Sequence, residues 1–259
     1  MLRIGVIGIT GRMGQAVLDV ASSARDIAVV AGFVRPGRDT ATLRAALPPS
    51  LLLTDALPDL MRLVDVAIDF SHPDLTLAAA RAAASAGVPL VSGTTGLAEA
   101  HQAALLDAAQ HVPIVHAANF SLGIAVLLRI LPELRRLFVD WDIEIIERHH
   151  RGKRDAPSGT ALALAHALNT TCAEAPLTPV YGRGPGEAPR RPGEVGLHAV
   201  RAGGEVGRHS VLLASDDEGL EITHWAQNRR AYARGALEAA RRLHNRPPGL
   251  YTFSDLLFA

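Results

Sequence analysis

The chain has 259 residues, of which 48% are hydrophobic, so it can bury the core of one large domain or two modest ones. Lysine plus arginine and aspartate plus glutamate each total 26, and this balance excludes a global attraction to nucleic acid or to anionic lipid. Cys172 is the single cysteine, which excludes an internal disulfide. No apolar run reaches bilayer-spanning length, and the first residues lead directly into a glycine motif, so we expect a soluble, cytoplasmic protein without membrane contact.

The first half of the chain alternates short β-rich runs with helical segments rich in alanine and leucine. The runs RIGVIG, IAVVAGFV, VDVAIDF, PLVSGT and PIVHAAN are apolar almost throughout, as in parallel strands that are covered on both faces. The segments between them have helical composition, including a helix predicted over 97–111. The alternation predicts an α/β fold with a doubly wound, parallel, Rossmann-like sheet.

The pattern changes after Asn119. A long helix is predicted over 121–138, with Pro132 as a kink, and is followed by the strand DIEIIE, a cationic loop and the helix TALALAHAL. Prolines and glycines crowd residues 173–195, which we expect to form a long loop. The runs GLHAVRA, GRHSVLLAS and LEITHWAQ then predict three strands, and since no helix separates them they should pair antiparallel.

These patterns predict two domains. The first comprises 1–120 and 230–259, because the helical segment near the C-terminus can return to the parallel sheet. The second comprises 121–229 and is a smaller α+β domain with an open, largely antiparallel sheet.

The stretch GITGRMG, from Gly8 to Gly14, lies where the first strand passes into the first helix. Glycines at such a junction let the backbone turn tightly and approach a pyrophosphate, whose charge is met by the helix N-terminus. The glycines here are Gly8, Gly11 and Gly14, with Thr10 beside the middle one. A tight turn without a ligand is the alternative, but the order of strand, turn and helix favours dinucleotide binding.

The residues after the second strand bear on the choice of cofactor. The strand ends at Val34, twenty residues after Gly14, where an NAD-specific site has an acid that binds the ribose hydroxyls. The acid is absent, and Arg35 follows with Arg38 close behind. A guanidinium can pair with a 2′-phosphate, so the sequence predicts a preference for NADPH and weaker use of NADH. The alternative is that Arg35 is only a solvated loop charge.

The stretch RHHRGKRDAPSGT gathers four cations and two histidines ahead of its single acid, Asp155. A metal site is disfavoured, because His149 and His150 would point to opposite sides of a strand and no further ligand set accompanies them. A solvated run of charge is a second interpretation. We favour an anion site, because SGT begins a helix whose exposed amides add to the positive charge of the loop. The expected ligand is a small molecule with more than one carboxylate, and beside a reduced nicotinamide His149 and Lys153 become candidates for proton delivery.

The two motifs, together with DFSHPD, GTTG, HAANFSLGI, VRAGGEVGRH and LEITHWAQNR, resemble the dihydrodipicolinate reductase family over nearly the whole chain. The resemblance implies reduction of 4-hydroxy-tetrahydrodipicolinate, by way of dihydrodipicolinate, to tetrahydrodipicolinate in the diaminopimelate route to lysine. It implies NADPH or NADH as cofactor, a dinucleotide-binding first domain, and a second domain that binds the substrate and builds a homotetramer. Many members have an acid where this chain has Val34 and a further glycine where it has Thr10, and the missing acid puts the use of NADH in doubt.

The resemblance also implies roles for single residues. His149 matches the acid/base residue and Lys153 the proton donor. The positions that match substrate-binding residues are His150, Ser158, Gly159 and Thr160. The positions expected to contact the cofactor are Gly8, Ile9, Thr10, Gly11, Arg12, Met13, Gly14, Arg35, Gly93, Thr94, Thr95, Ala117, Ala118, Asn119 and Phe120. No metal is expected.

Two other functions stay open. A protein of this fold can bind nicotinamide as a sensor without catalysis, and a reductase of this fold can act on another cyclic imine or keto dicarboxylate. The set of His149, Lys153 and SGT favours catalysis over sensing, because a sensor has no need of a proton donor.

Overall fold

The computed structural model of the protein describes residues 1–37, 47–170 and 176–258. The chain divides into two compact units, the first formed by Met1–Ser121 with Arg229–Ala259 and the second by Leu122–Asn228. Arg38 and Cys172 lie outside the described residues. Within the described ranges, no helix has both the length and the apolar character that crossing a membrane requires.

Strands and helices follow one another along the chain as follows. The first unit begins with β1 (Leu2–Ile7), α1 (Arg12–Ala21), β2 (Ile27–Phe33), β3 (Leu52–Thr54), α2 (Leu57–Leu63), β4 (Val66–Asp69), α3 (Pro73–Ala86), β5 (Leu90–Ser92), α4 (Glu99–Ala108) and β6 (Pro113–His116). The second unit contains α5 (Leu122–Leu137), β7 (Asp142–His149), α6 (Gly159–Asn169), β8 (Thr178–Tyr181), β9 (Glu194–Arg201), β10 (Arg208–Ala214) and β11 (Gly219–Trp225). The first unit is completed by α7 (Arg230–Leu243), β12 (Gly249–Tyr251) and α8 (Phe253–Phe258).

The first unit is built around one parallel sheet with the strand order β12-β6-β5-β4-β1-β2-β3. Each pair of neighbouring strands in it runs parallel. Strand side chains such as Ile4, Val6 and Ile68 are fully buried, as expected where helices cover both faces of a sheet. The doubly wound parallel sheet that the apolar runs predict is confirmed.

The direction of winding in this sheet reverses between β1 and β4. From β1 the chain builds outward to β2 and β3, and then continues on the other side with β4, β5 and β6. This is the strand order of dinucleotide-binding sheets, extended here by β12. Such sheets bind ligands outside the carboxyl ends of their strands at the reversal, which is where the glycine turn after β1 lies.

The second unit is a sheet with the order β11-β10-β7-β9-β8. The hydrophobic core of this unit draws on α5, α6 and the strands, and includes Leu131, Ile143, Leu164, Leu168 and Val211. Along β7, buried residues alternate with more exposed ones as far as Glu147 and His149, so both of these polar side chains lie on the core face.

The pairing within this sheet differs from the prediction. β10 runs antiparallel to β11 and to β7, whereas β9 runs parallel to β7 and to β8. The predicted antiparallel pairing is therefore wrong for β9, and the sheet is mixed. The chain returns across the sheet twice between β7 and β9. The first return, through α6, makes β8 start in the same direction as β7, and the second, through the segment between β8 and β9, does the same for β9. The prediction also missed β8, because its residues lie in the segment rich in proline and glycine that we assigned to a loop.

The turn between β1 and α1 requires glycine at two positions. Gly8 has a φ of +84°, and a Cβ there would lie 2.4 Å from the carbonyl oxygen of Phe70. A Cβ on Gly14 would lie 2.4 Å from the carbonyl oxygen of Gly8. Backbone atoms occupy the space that either side chain would need. Gly8 therefore lets the turn pack against the segment after β4, and Gly14 lets α1 pack against the turn.

We predict that Gly14→Ala lowers the free energy of unfolding by about 1–3 kcal/mol, because the methyl group can be accommodated only if α1 moves away from the turn. Urea unfolding followed by circular dichroism measures the change. Gly184→Ala is the matched control, since a Cβ there has no atom within 4 Å. An unfolding midpoint for Gly14→Ala equal to that of the control would contradict the prediction.

Candidate functional site

The residues predicted to contact a cofactor follow the carboxyl ends of strands in the first unit. Gly8 follows β1, Arg35 comes shortly after β2, Gly93 follows β5 and Ala117 follows β6. Because the carboxyl ends of parallel strands meet at one edge of a sheet, the structure brings these segments together along that edge. Arg35 is exposed there, while Val34 before it is buried.

The glycine turn presents backbone rather than side chains. Gly11 is the N-cap of α1 and has no side-chain capping bond, and the first turn of α1 contains no acid. The Gly11 amide donates to the carbonyl oxygen of Gly8 over 2.9 Å. Thr10, Gly11 and Arg12 are exposed, whereas the Ile9 side chain is fully buried. An exposed helix start without a neighbouring carboxylate fits the pyrophosphate of a dinucleotide, with Ile9 contributing through its backbone alone.

A buried carboxylate connects the segments at the ends of β4 and β5. Asp69 ends β4 and is fully buried. Its Oδ2 accepts from the hydroxyls of Thr76 (2.6 Å), Ser92 (3.1 Å) and Thr94 (3.0 Å), and the Ser71 hydroxyl donates to Oδ1. Burial raises the pKa of Asp69, although all four hydroxyls act in the opposite direction. The carboxylate thereby ties the GTTG segment to the segment after β4.

The remaining predicted cofactor residues differ in exposure. A Cβ on Gly93 would lie 2.1 Å from the ring of Phe70, so the start of GTTG requires glycine. Thr95 and Ala118 are exposed, and the side-chain oxygen of Asn119 accepts from the Ser121 amide over 2.8 Å. Phe120 is 1% exposed, with its ring centroid 5.1 Å from that of Phe253. The Phe120 side chain therefore belongs to the core of the unit, and it can contact a cofactor only through its backbone.

We predict that Asp69→Ala lowers the free energy of unfolding by about 2–4 kcal/mol, because buried hydroxyls lose their shared acceptor. Asp69→Asn is the matched variant. Its amide oxygen can still face Thr76, Ser92 and Thr94, so its effect should be smaller. Urea unfolding of both variants measures the difference, and equal losses of stability would show that the hydroxyl network is not the cause.

In the second unit, His149 and Glu147 form a buried pair at the end of β7. The side chain of His149 is 9% exposed and that of Glu147 is 1% exposed. Nδ1 of His149 lies 2.6 Å from Oε2 of Glu147. Arg201, the last residue of β9, binds the same carboxylate with both ends of its guanidinium fork, at 2.7 Å and 2.6 Å. The Ser158 amide donates to Oε1 of Glu147 over 3.0 Å.

The charge state of this pair follows from its surroundings. Burial raises the pKa of Glu147, but the hydrogen bonds from Arg201 and His149 outweigh burial and hold the pKa below its ordinary value. Burial lowers the pKa of His149, and Glu147 opposes this only in part. Glu147 is therefore an ionised acceptor of a hydrogen bond from the Nδ1–H group of His149. The neutral ring keeps its lone pair on Nε2.

The start of α6 lies beside this pair. Ser158 is the N-cap of α6, and its hydroxyl accepts from the Ala161 amide over 3.2 Å. The Ser158 hydroxyl also lies 3.1 Å from Nε2 of His209, a buried residue of β10. Burial lowers the pKa of His209 to about 3, so its ring is neutral. The rings of His149 and His209 meet edge to face, with centroids 5.2 Å apart.

The loop between β7 and α6 contains the other predicted residues. Lys153 is partly buried, and its Nζ lies 2.9 Å from Oδ1 of Asp155. The charge of Lys153 contributes to the lowered pKa of His149, which places the two groups in one electrostatic environment. His150 and Thr160 are partly buried and Gly159 is exposed. Ser158, Gly159 and Thr160 thus lie at the start of α6, and Glu147 links that start to His149.

The sequence interpretation missed Glu147, Arg201 and His209. One signal was available, because Glu147 and His149 are two residues apart on a strand and so share a face, and a carboxylate on a buried face needs a cationic partner. Among the described residues, no group of three or more His, Cys, Asp or Glu is placed to hold a metal ion.

The fold and this arrangement define a two-unit protein of the dinucleotide-binding class. Two family models match nearly the whole chain. The model described as "Dihydrodipicolinate reductase, N-terminus" matches residues 2–120, and the one described as "Dihydrodipicolinate reductase, C-terminus" matches residues 123–257. The chain therefore belongs to the dihydrodipicolinate reductase family.

Individual proteins agree with this assignment. A curated relative from Thermomicrobium roseum, named 4-hydroxy-tetrahydrodipicolinate reductase, is 64% identical over 99% of this chain and 100% of its own length. A relative of the same name from Haloarcula marismortui is 42% identical over 100% of both chains. The solved structure of dipicolinate-bound dihydrodipicolinate reductase from Paenisporosarcina sp. TG-14 superposes with a TM-score of 0.80 and 21% identity, covering 97% of each chain. At that identity the superposition supports the fold alone.

Proposed function

We propose that the protein is an NAD(P)H-dependent reductase that converts 4-hydroxy-tetrahydrodipicolinate, by way of dihydrodipicolinate, to tetrahydrodipicolinate. The observation that carries the proposal is the attachment of His149 and Ser158 to one carboxylate, that of Glu147. An acid/base side chain and the start of an anion-binding helix are thereby held side by side. Membership of the family and the names of the curated relatives support the choice of substrate.

The start of α6 provides the substrate site in this proposal. A ring with two carboxylates needs donors for both, and the amides of Gly159 and Thr160 and the Ser158 hydroxyl can meet one of them. His150, which the resemblance assigns to substrate binding, would meet the second. The first turn of α6 itself contains no acid. The Asp155 carboxylate, which accepts from the Gly159 amide, lies beside it and would give way to the ligand in this proposal.

The chemical step adds one hydride and one proton to the conjugated imine that remains after loss of water. When bound, the reduced nicotinamide supplies the hydride. The added negative charge must then be met by a proton from the protein. The ammonium group of Lys153 carries such a proton at the loop, and the neutral His149 ring has a free lone pair on Nε2 that can accept one and pass it on.

The cofactor site of this proposal is the carboxyl edge of the first unit, which makes that unit the dinucleotide-binding domain and the second unit the substrate domain. The turn from Gly8 to Gly14 would hold the pyrophosphate, and the GTTG and HAANF segments would flank the nicotinamide and its ribose. A homotetramer and a cytoplasmic location, both expected from the sequence, stay predictions.

The proposed activity is tested by generating the substrate with the upstream synthase and following the loss of reduced-nicotinamide absorbance. Turnover is expected. Binding of the cofactor without turnover would favour the sensor alternative. Faster turnover of another cyclic imine or keto dicarboxylate would favour the second reductase alternative.

In this assay we predict a lower KM for NADPH than for NADH. The exposed Arg35 can pair with the 2′-phosphate, and the residue before it is Val34 rather than an acid that would repel the phosphate. Arg35→Ala should raise the KM for NADPH about tenfold, in line with the loss of a charge-assisted hydrogen bond of about 1.5 kcal/mol. The KM for NADH is the internal control and should stay nearly unchanged. Equal or better use of NADH by the unaltered protein would contradict the assignment.

We also predict that Lys153→Ala lowers kcat about 100-fold or more, because it removes the proton source. Arg154→Ala is the matched control, since it deletes an exposed cation next to Lys153 in the same loop. The control should retain kcat within about twofold. A near-normal kcat for Lys153→Ala, or an equal loss in both variants, would refute the role of Lys153.

A further inference from the structure

Glu147 has more hydrogen-bonding partners than a structural ion pair needs. Oε1 accepts from Arg201 at 2.6 Å and from the Ser158 amide at 3.0 Å. Oε2 accepts from Arg201 at 2.7 Å and lies 2.6 Å from Nδ1 of His149. The carboxylate therefore joins three segments, namely the end of β7, the start of α6 and the end of β9.

We propose that Glu147 and Arg201 form a positioning pair that fixes the tautomer of His149 and holds Ser158 in register with it. The inference rests on the proposed function for its catalytic meaning, because it assigns positioning residues to the same reaction. Neither residue is proposed to touch the substrate or the cofactor.

The tautomer follows from the geometry. Ionised Glu147 can only accept, so the proton of the neutral imidazole must be on Nδ1, and Nε2 is left with its lone pair. Arg201 keeps Glu147 ionised in a buried site, because the guanidinium supplies two parallel charge-assisted bonds. Without that charge the carboxyl group would take up a proton more readily, and its hold on Nδ1 would weaken.

Arg201 also connects the pair to the loop. Its guanidinium donates to the backbone oxygen of Asp155 over 2.6 Å and to that of Val200 over 2.8 Å. Asp155 in turn faces Lys153 across 2.9 Å. One guanidinium therefore sets the position of the loop backbone and of the carboxylate that orients His149.

The groups that face His149 come from every element around it. Glu147 precedes it on β7, Arg201 is on β9, His209 is on β10 and Lys153 is on the loop. His224 on β11 contributes indirectly, since it lowers the pKa of His209. Of these groups, only Glu147 is an acid. Loss of its negative charge should therefore lower the pKa of His149, and loss of a neighbouring positive charge should raise it.

The test reads the state of His149 directly, by NMR of protein labelled with ¹⁵N-histidine, with His149 assigned from the spectrum of a His149→Gln variant. At pH values above the titration midpoint of His149, the unaltered protein should show the proton of the neutral ring on Nδ1. Glu147→Gln should lower the midpoint and shift the neutral ring toward the Nε2–H form. Arg201→Met should raise the midpoint of the first proton uptake, because a positive charge is removed.

Kinetic measurements form the second arm. Glu147→Gln should lower kcat about 100-fold, the scale of a lost acid/base contribution, and should move the pH profile of kcat with the NMR midpoint. Arg201→Lys keeps the buried charge but loses the fork, so it should fold when Arg201→Met does not, with a smaller fall in kcat. Glu205→Gln is the matched control, because its carboxylate pairs with Arg208 outside this network.

The two failures are distinguishable. A protein without turnover of the proposed substrate would refute the proposed function, while the NMR arm would still decide the positioning role. The positioning role is overturned if Nδ1 of His149 carries no proton in the unaltered protein. It is also overturned if Glu147→Gln leaves both the tautomer and the midpoint as they are in Glu205→Gln.

Discussion

Removing Glu147 from water costs free energy that only a charged and geometrically matched partner can offset, and the arrangement of the second unit reflects this constraint. Arg201 supplies the charge and the fork, and the Ser158 amide and the His149 ring complete the four bonds to the carboxylate. Each partner comes from a different segment. The position of the ring and the start of α6 are thus both consequences of satisfying one buried carboxylate.

The first unit has a buried carboxylate at an equivalent place, the carboxyl end of a central strand, but with neutral donors. Asp69 accepts from four hydroxyls, and burial nevertheless raises its pKa. Glu147 has a guanidinium among its donors, and its pKa falls. The donors contribute to this difference, because a hydroxyl stabilises the ionised form less than a guanidinium does. Asp69 is therefore suited to holding segments together, whereas Glu147 can also control the protonation of a neighbouring ring.

Much of the fold could be predicted because it depends on local patterns. Runs that are apolar throughout predicted the parallel sheet, and Gly8 and Gly14 predicted the tight turn, where steric contacts now explain both residues. The segment SGT predicted a helix start, and Ser158 is its N-cap. The hydroxyls around Asp69 could not be predicted in the same way, because they come from residues as far apart as Ser71 and Thr94, and only the strand order of the sheet brings them together.

The wrong prediction about β9 explains why Arg201 was overlooked. In an antiparallel hairpin of β9 with β10, Arg201 would lie next to the turn, and the hairpin itself would give it no contact with β7. In the structure β9 runs parallel to β7, and the register places Arg201 opposite His149. β10 pairs with the other edge of β7 and places His209 opposite Glu147. Two crossovers decide this arrangement, one through α6 to β8 and one from β8 to β9. The chemistry of the histidine therefore depends on a strand direction that local sequence patterns do not encode.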